Sequence, residues 1–218
     1  MEERINNKSN NSKIKIGLMG GTFNPIHYAH LKMAEVTQNK LKLDKILFIP
    51  DKNPPHKKKE SLLSDLDRSN MIKLAIEEYT SLGKNNFEFS DIELNRTGTT
   101  YTSDTLLELK SIYPFSELFF IMGADSFNYL DRWHEPQIIF ENATIVVFKR
   151  TDYENNGGII EKKAYLEDKF NGRVIILEMP DNPVSSTEIR ESIKQGLSLS
   201  NMLPNSVINY IETNKLYK

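Results

Sequence analysis

The densest chemistry in the 218-residue sequence lies between residues 17 and 30, in the stretch GLMGGTFNPIHYAH. An apolar strand end runs into Gly20 and Gly21, Thr22 and Phe23 follow, and His27 and His30 stand three residues apart. Two adjacent glycines give a backbone that can turn tightly and approach a ligand closely. Asn24 and Pro25 read as N-cap and first-turn residues of a following helix, whose free N–H groups and positive dipole end favour an anion such as phosphate. Three-residue spacing puts both imidazoles on one face of that helix. The nearby dipole disfavours imidazolium and leaves neutral rings that can each donate a hydrogen bond, although a bound phosphate would act in the opposite sense. A Gly-Gly turn with two incidental histidines is the plain alternative for each part taken alone. The stretch is not a Walker A loop, because no Gly-Lys-Ser/Thr follows, and it lacks the third glycine of the dinucleotide fingerprint. It is also a poor zinc site, with no His-Glu-x-x-His and nothing nearby to complete a ligand set.

A second cluster lies near the other end, in VSSTEIRESIKQG. Ser185 with Glu188 three later is a capping box, and Ser186 and Arg190 share one face of the helix it opens. The arrangement presents a hydroxyl and a guanidinium fork together. By itself it reads equally as an ordinary capped surface helix. Three further stretches carry notable residues: PDKNPPHKKK with His56 and Lys57, RTGTTYTSDT with Gly98, Tyr101 and Thr102 at the mouth of a helix, and FFIMGADSFNYLDRWHEP with Gly123, Asp125, His134 and the sole tryptophan, Trp133. Arg150 closes the run VVFKR.

The elements that must position these residues alternate along the chain. Short apolar runs rich in β-formers (KIKIGLM, KILFIP, FEFSDIEL, ELFFIMG, ATIVVFK, RVIILEM) are separated by segments of helical period (YAHLKMAEVTQNKL, RSNMIKLAIEEYTSL, TSDTLLELKSIY). Such alternation implies parallel strands joined by right-handed crossovers, and continuous apolar strands imply helices on both faces. The expected fold is α/β, a single Rossmann-like doubly wound parallel sheet over residues 14–218 closed by C-terminal helices in SSTEIRESIKQ and PNSVINYIETN, after a disordered tail at 1–13. Ligands of such sheets bind beyond the carboxyl ends of the strands, where strand order reverses.

Composition bounds the function. With 39% apolar and 27% charged residues and a net charge of −2, the chain carries no global basic field for a nucleic acid backbone. A chain of this length buries roughly 70% of its unfolded surface and folds alone. Cysteine is absent, which excludes disulfides and thiolate metal sites and agrees with a reducing compartment. No run reaches membrane-spanning length and the first residues lack a secretion signal, so a cytoplasmic protein without membrane or nucleic acid partners is expected. A homo-oligomer is compatible with the sequence.

GGTFNPIHYAH closely resembles the Gly-Thr-Phe-Asp-Pro-x-His-x-Gly-His signature of the nucleotidyltransferase superfamily, with Asn24 for the usual Asp and Ala29 for the usual Gly. The 185–190 element resembles the Ser-Ser-Thr-x-x-Arg motif that grips the ATP triphosphate in these enzymes. Pro54-Pro55-His56-Lys57 after the second strand, and GTTYTSDT with Thr99-Thr100 in place of Pro-Ser, are similar to nicotinate mononucleotide adenylyltransferases. The resemblance implies transfer of AMP from ATP to nicotinate mononucleotide, with Mg²⁺ carried on the ATP and no dedicated protein metal site. It implies catalytic roles for His27, His30 and Arg190, and ATP contacts from Gly20, Gly21, Thr22, Phe23, Gly123, Asp125, Ser185, Ser186 and Thr187. For the mononucleotide it implies contacts from His56, Lys57, Thr102, Trp133, His134 and Arg150. Alternatives at this stage are another small-molecule adenylyltransferase, acting on nicotinamide mononucleotide or pantetheine phosphate, and a non-catalytic nucleotide sensor.

Overall fold

The computed structural model describes residues 13–53, 62–81, 83, 85–149, 156–178 and 184–218. Its elements in chain order are β1 (Lys15–Gly21), α1 (Tyr28–Leu41), β2 (Lys45–Pro50), α2 (Asp65–Ser81), β3 (Phe87–Phe89), α3 (Thr102–Ile112), β4 (Glu117–Gly123) and the short α4 (Ala124–Phe127). A 3₁₀ turn at Leu130–Arg132 leads into α5 (Pro136–Asn142), β5 (Ala143–Lys149), α6 (Asn156–Phe170), β6 (Val174–Glu178), α7 (Ser186–Lys194) and α8 (Asn205–Thr213). The strands form one sheet in the order β3-β2-β1-β4-β5-β6, parallel throughout. Strand order reverses between β1 and β4, so their carboxyl ends open a crevice there.

Side-chain alternation along the strands divides the core. Ile16 and Leu18 of β1, Leu47 and Ile49 of β2, and Ile145 and Val147 of β5 point to one face, where Leu106 and Leu109 of α3, Ile139 of α5 and Leu166 of α6 cover them. Met19, Ile46, Phe48, Ile121, Val146 and Phe148 point to the other, covered by Leu31 of α1, Ile72 of α2, Ile189 of α7 and Val207 of α8. Ile16, Ile46, Phe48, Val146 and Val147 are fully buried, worth about 1.5–3 kcal/mol each relative to exposure. Both faces are dry, as the continuous apolar runs require.

Three sequence expectations change. The run FEFSDIEL forms a strand only over Phe87–Phe89, and turns follow at residues 92–95. Helix α6 was not expected from its sequence, since Gly157 and Gly158 in its first turn are poor helix formers; the parallel β5–β6 pair nevertheless requires a crossover. Helix α1 begins at Tyr28 with His27 as its extended N-cap, three residues later than Asn24 would place it. Asn24 and Pro25 instead make a turn with a cis peptide bond. The Asn24 side chain is spent on distant groups, its Oδ1 accepting from the Tyr217 hydroxyl at 2.9 Å and from Leu63 N–H at 3.4 Å.

Candidate active site

Gly20 and Gly21 are not in a turn. They end β1 in register with Ile49 and Pro50, and a Cβ on either would make ordinary contacts, 3.4 Å to the Phe120 ring and 3.6 Å to the Phe23 ring. The chain reverses at Phe23, which is left-handed (φ 47°) and buried. The glycines keep the mouth of the crevice clear of side chains, since both line its cavity together with Thr22. Arg68, a fully buried cation, holds this segment by donating to Thr22 O at 2.8 Å while its other Nη pairs with Asp65 at 2.6 Å.

His27 and His30 stack, with ring centroids 3.7 Å apart and planes at 26°. The backbone N–H of His27 donates to His30 Nδ1 at 3.3 Å, so His30 carries its proton on Nε2 and can donate from there. The edge of Phe23 fixes the ring from another side at 4.9 Å. Burial pushes His27 down to about 4 against the weaker upward pull of Glu188, so it is neutral at pH 7. Its buried Nδ1 has no hydrogen-bond partner among the described residues, a cost of about 1–3 kcal/mol of the kind retained at functional sites.

A folded-state pKa below the unfolded value of 6.5 means that the unfolded chain takes up the proton first on acidification. The His27 contribution is therefore fully present above about pH 6.5 and is lost as pH falls toward about 4. The expected loss is on the order of 3 kcal/mol. Urea unfolding of wild type and His27→Gln between pH 7 and 4 checks it: the variant should show a shallower decline, and parallel curves would contradict the neutral, buried assignment.

The second cluster meets the first. Ser185 caps α7 reciprocally with Glu188, its Oγ accepting from Glu188 N–H at 3.2 Å while the Glu188 carboxylate accepts from Ser185 N–H at 2.8 Å. Ser186 Oγ donates to Pro25 O at 3.0 Å, and Arg190 Nη1 donates to Asn24 O at 2.8 Å. Arg190 Nη2 reaches Thr187 Oγ1 at 3.2 Å, and Thr187 itself is exposed. Residues 161 and 166 positions apart thus share one turn. The sequence expectation aimed Ser186 and Arg190 at a ligand; here part of their donor capacity ties α7 to the 24–25 turn, leaving the guanidinium with further N–H groups to offer.

A cavity of about 290 Å³ opens beside this turn, at the carboxyl ends of β1 and β4. Thr102, Trp133 and His134 line it. Thr102 is the first residue of α3, after the extended N-cap Tyr101, so the helix end whose first N–H groups lack intrahelical partners forms part of the cavity wall. Trp133 is held edge-on by Phe120 at 6.1 Å and by its backbone N–H on Leu130 O at 3.2 Å. The exposed His134 ring lies 4.1 Å from that of Tyr101. Gly123 and Asp125 do not line the cavity: Gly123 ends β4 with open space where a Cβ would go, and Asp125 is exposed on α4, where Ser126 faces the cavity instead. His56, Lys57, Arg150 and the tail through residue 12 lie outside the described residues.

Sequence reasoning passed over Asp51 and Glu93, two carboxylates on the cavity wall. Burial holds the Glu93 carboxyl above its usual value, with Asp51 adding to the shift, and Glu93 accepts from Thr105 Oγ1 at 2.7 Å. Asp51 was findable as the first polar residue past β2, beside the reversal point. Arg68 was findable too, because it sits in the apolar stripe of α2 with Met71, Ile72 and Ala75.

The fold is that of a nucleotidyltransferase, and residues 18–192 match the model of the cytidylyltransferase-like family. Relatives from Lachnoclostridium phytofermentans and Clostridium tetani, each named "Probable nicotinate-nucleotide adenylyltransferase", are 39% and 40% identical over 93% and 94% of the chain and 98% and 99% of their own lengths. The chain belongs to the nicotinate-nucleotide adenylyltransferase family. A solved structure of the Plasmodium falciparum nicotinic acid mononucleotide adenylyltransferase complexed with NaAD shares the fold, with a TM-score of 0.76 at 21% identity over 94% of this chain and 97% of that one. Among the described residues no helix is long and apolar enough to cross a membrane.

Proposed function

We propose that this chain joins nicotinate mononucleotide to the AMP moiety of ATP, giving deamido-NAD and pyrophosphate in NAD biosynthesis, in the cytoplasm. The observation that carries the reading is that two unlike half-sites are joined by one segment: Gly20, Gly21 and Thr22 line the Trp133–Thr102–His134 cavity and run straight into the turn held by His27, His30 and Arg190. The first suits phosphates, the second a flat ring bearing an acidic group.

An oxygen of the mononucleotide's phosphate attacks the α-phosphorus of ATP; that O–P bond forms as the bond from Pα to the bridging oxygen of pyrophosphate breaks. The attacking phosphate has its second pKa near about 6, so no general base is required at pH 7. What the protein supplies is alignment and stabilisation of charge on the equatorial oxygens and the leaving group. His27 and His30 serve the α-phosphate, while Ser186 and Arg190, with Ser185 and Thr187 at the same helix end, serve the β- and γ-phosphates. Gly20, Gly21 and Thr22 admit the nucleotide past bare backbone, and Phe23 acts through the His30 ring. Gly123 and Asp125 meet ribose at the rim. Trp133 stacks on the nicotinate ring, with N–H groups at Thr102 and His134 on its carboxylate. His56, Lys57 and Arg150 complete the mononucleotide contacts. Among the described residues no group of three or more histidines or carboxylates is placed to hold a metal ion. Mg²⁺ would enter as part of the substrate, held by ATP oxygens and water.

Arg190→Lys keeps the charge and loses the fork. It should raise KM for ATP by about tenfold and KM for the mononucleotide far less; equal changes in steady-state kinetics would place Arg190 elsewhere. The function itself is tested by a panel of nicotinate mononucleotide, nicotinamide mononucleotide and phosphopantetheine, each with ATP and assayed for pyrophosphate. Nicotinate mononucleotide should lead by a wide margin. Release with phosphopantetheine instead would reassign the acceptor, and nucleotide binding with no release for any acceptor would indicate a sensor.

A further inference from the structure

The Asn24–Pro25 turn receives Arg190 and Ser186 from one side, and its other side is held from the last residues of the sequence. The Tyr217 hydroxyl donates to Asn24 Oδ1 at 2.9 Å, across 193 positions. Leu63 N–H approaches the same oxygen at 3.4 Å, which identifies it as the carbonyl end of the amide. Burial raises the phenol's pKa well above its usual value, so it stays a donor. Tyr217 and Lys215 are both left-handed, with φ of 64° and 52°, a conformation that bulky L-residues keep only when their surroundings over-determine it. What determines it here is visible: Leu216 and Tyr217 pack on the core beside α8, and Leu216 N–H donates to Ile211 O at 3.0 Å. The chain thus accepts backbone strain in a segment whose hydroxyl ends on the turn that orients Arg190.

We propose that Tyr217 is a positioning residue for the phosphate half of the site, acting through Asn24 to fix the carbonyl on which Arg190 is aimed. The inference rests on the functional reading above. Asn24 is 3% exposed, so losing the phenol takes a 2.9 Å hydrogen bond from a buried amide oxygen and loosens the turn. The Trp133 cavity makes no contact with Tyr217 and should not respond.

Tyr217→Phe removes the hydroxyl and keeps the ring. It should raise KM for ATP by roughly three- to tenfold, the worth of one hydrogen bond, with KM for nicotinate mononucleotide within about twofold of wild type. In a double-mutant cycle, adding Tyr217→Phe to Asn24→Ala should change the ATP parameters no further. An unchanged ATP KM, equal rises in both KM values, or multiplying effects in the double variant would overturn the proposal, leaving the hydroxyl a purely structural role. Calorimetric ATP binding by the same variants, with thermal midpoints as a folding control, reads the same effect without catalysis. If wild type binds ATP but yields no pyrophosphate, the functional reading fails while Tyr217 remains tested by that binding.

Discussion

His30→Ala should lower kcat by roughly two to three orders of magnitude while the thermal midpoint moves little. The half-buried His30 ring is oriented three ways: by stacking on His27, by the Phe23 edge, and by the His27 N–H that occupies Nδ1. The last contact sets the tautomer, so the remaining proton sits on Nε2, an oriented donor in the half of the site proposed to hold phosphate. A donor aimed where charge grows in the transition state acts on kcat more than on substrate binding. Alanine leaves the fold intact because the deep contacts of the turn belong to Phe23, Arg68 and Asn24. Single-turnover rates with saturating ATP would show the loss; near-normal rates would remove His30 from the chemistry.

The second large effect is preference for nicotinate mononucleotide over its amide, about a thousandfold or more in kcat/KM. The two ligands differ only in carboxylate against carboxamide. If N–H donors from the α3 end at Thr102 and from His134 converge on that substituent, as the proposed function has it, a carboxylate gains charge-assisted bonds from every one. A carboxamide can turn its oxygen to one donor, but its NH₂ then faces another donor and leaves it unpaired. In the proposed complex Trp133 stacks on the pyridinium that both ligands share, so Trp133→Ala should raise both KM values by about tenfold and shift their ratio much less. Comparable kcat/KM for acid and amide in the wild-type protein would contradict the carboxylate pocket and indicate dual specificity.

Much of the architecture is legible because its cause is local. The ILFI of KILFIP and the IVVF of ATIVVFK are continuous apolar runs too short for helices, the pattern of strands buried on both faces, which already implies the parallel sheet and its crevice. The Ser185–Glu188 box is equally local, and it forms as written. The histidine turn is different. Asn-Pro before an amphipathic segment imitates a helix start, yet Asn24 is drawn away by Tyr217 and Leu63, neither near it in sequence. Gly20 and Gly21 suggest a turn but complete a strand, their bareness serving the cavity rather than the chain reversal. Asp51 and Glu93 look like solvated surface carboxylates until the sheet order puts them on the cavity wall. Contacts of this length in sequence leave no periodic trace.

Tracing phosphorus tests the central claim most directly. ATP labelled at the α-phosphorus is incubated with the protein and nicotinate mononucleotide, and a parallel sample carries the label at the γ-phosphorus. The α-label should appear in a dinucleotide that also contains nicotinate, at the rate at which the γ-label appears in pyrophosphate. An α-label that stays in ATP or emerges only as AMP, or a γ-label released as inorganic phosphate, would contradict attack by the mononucleotide on the α-phosphorus.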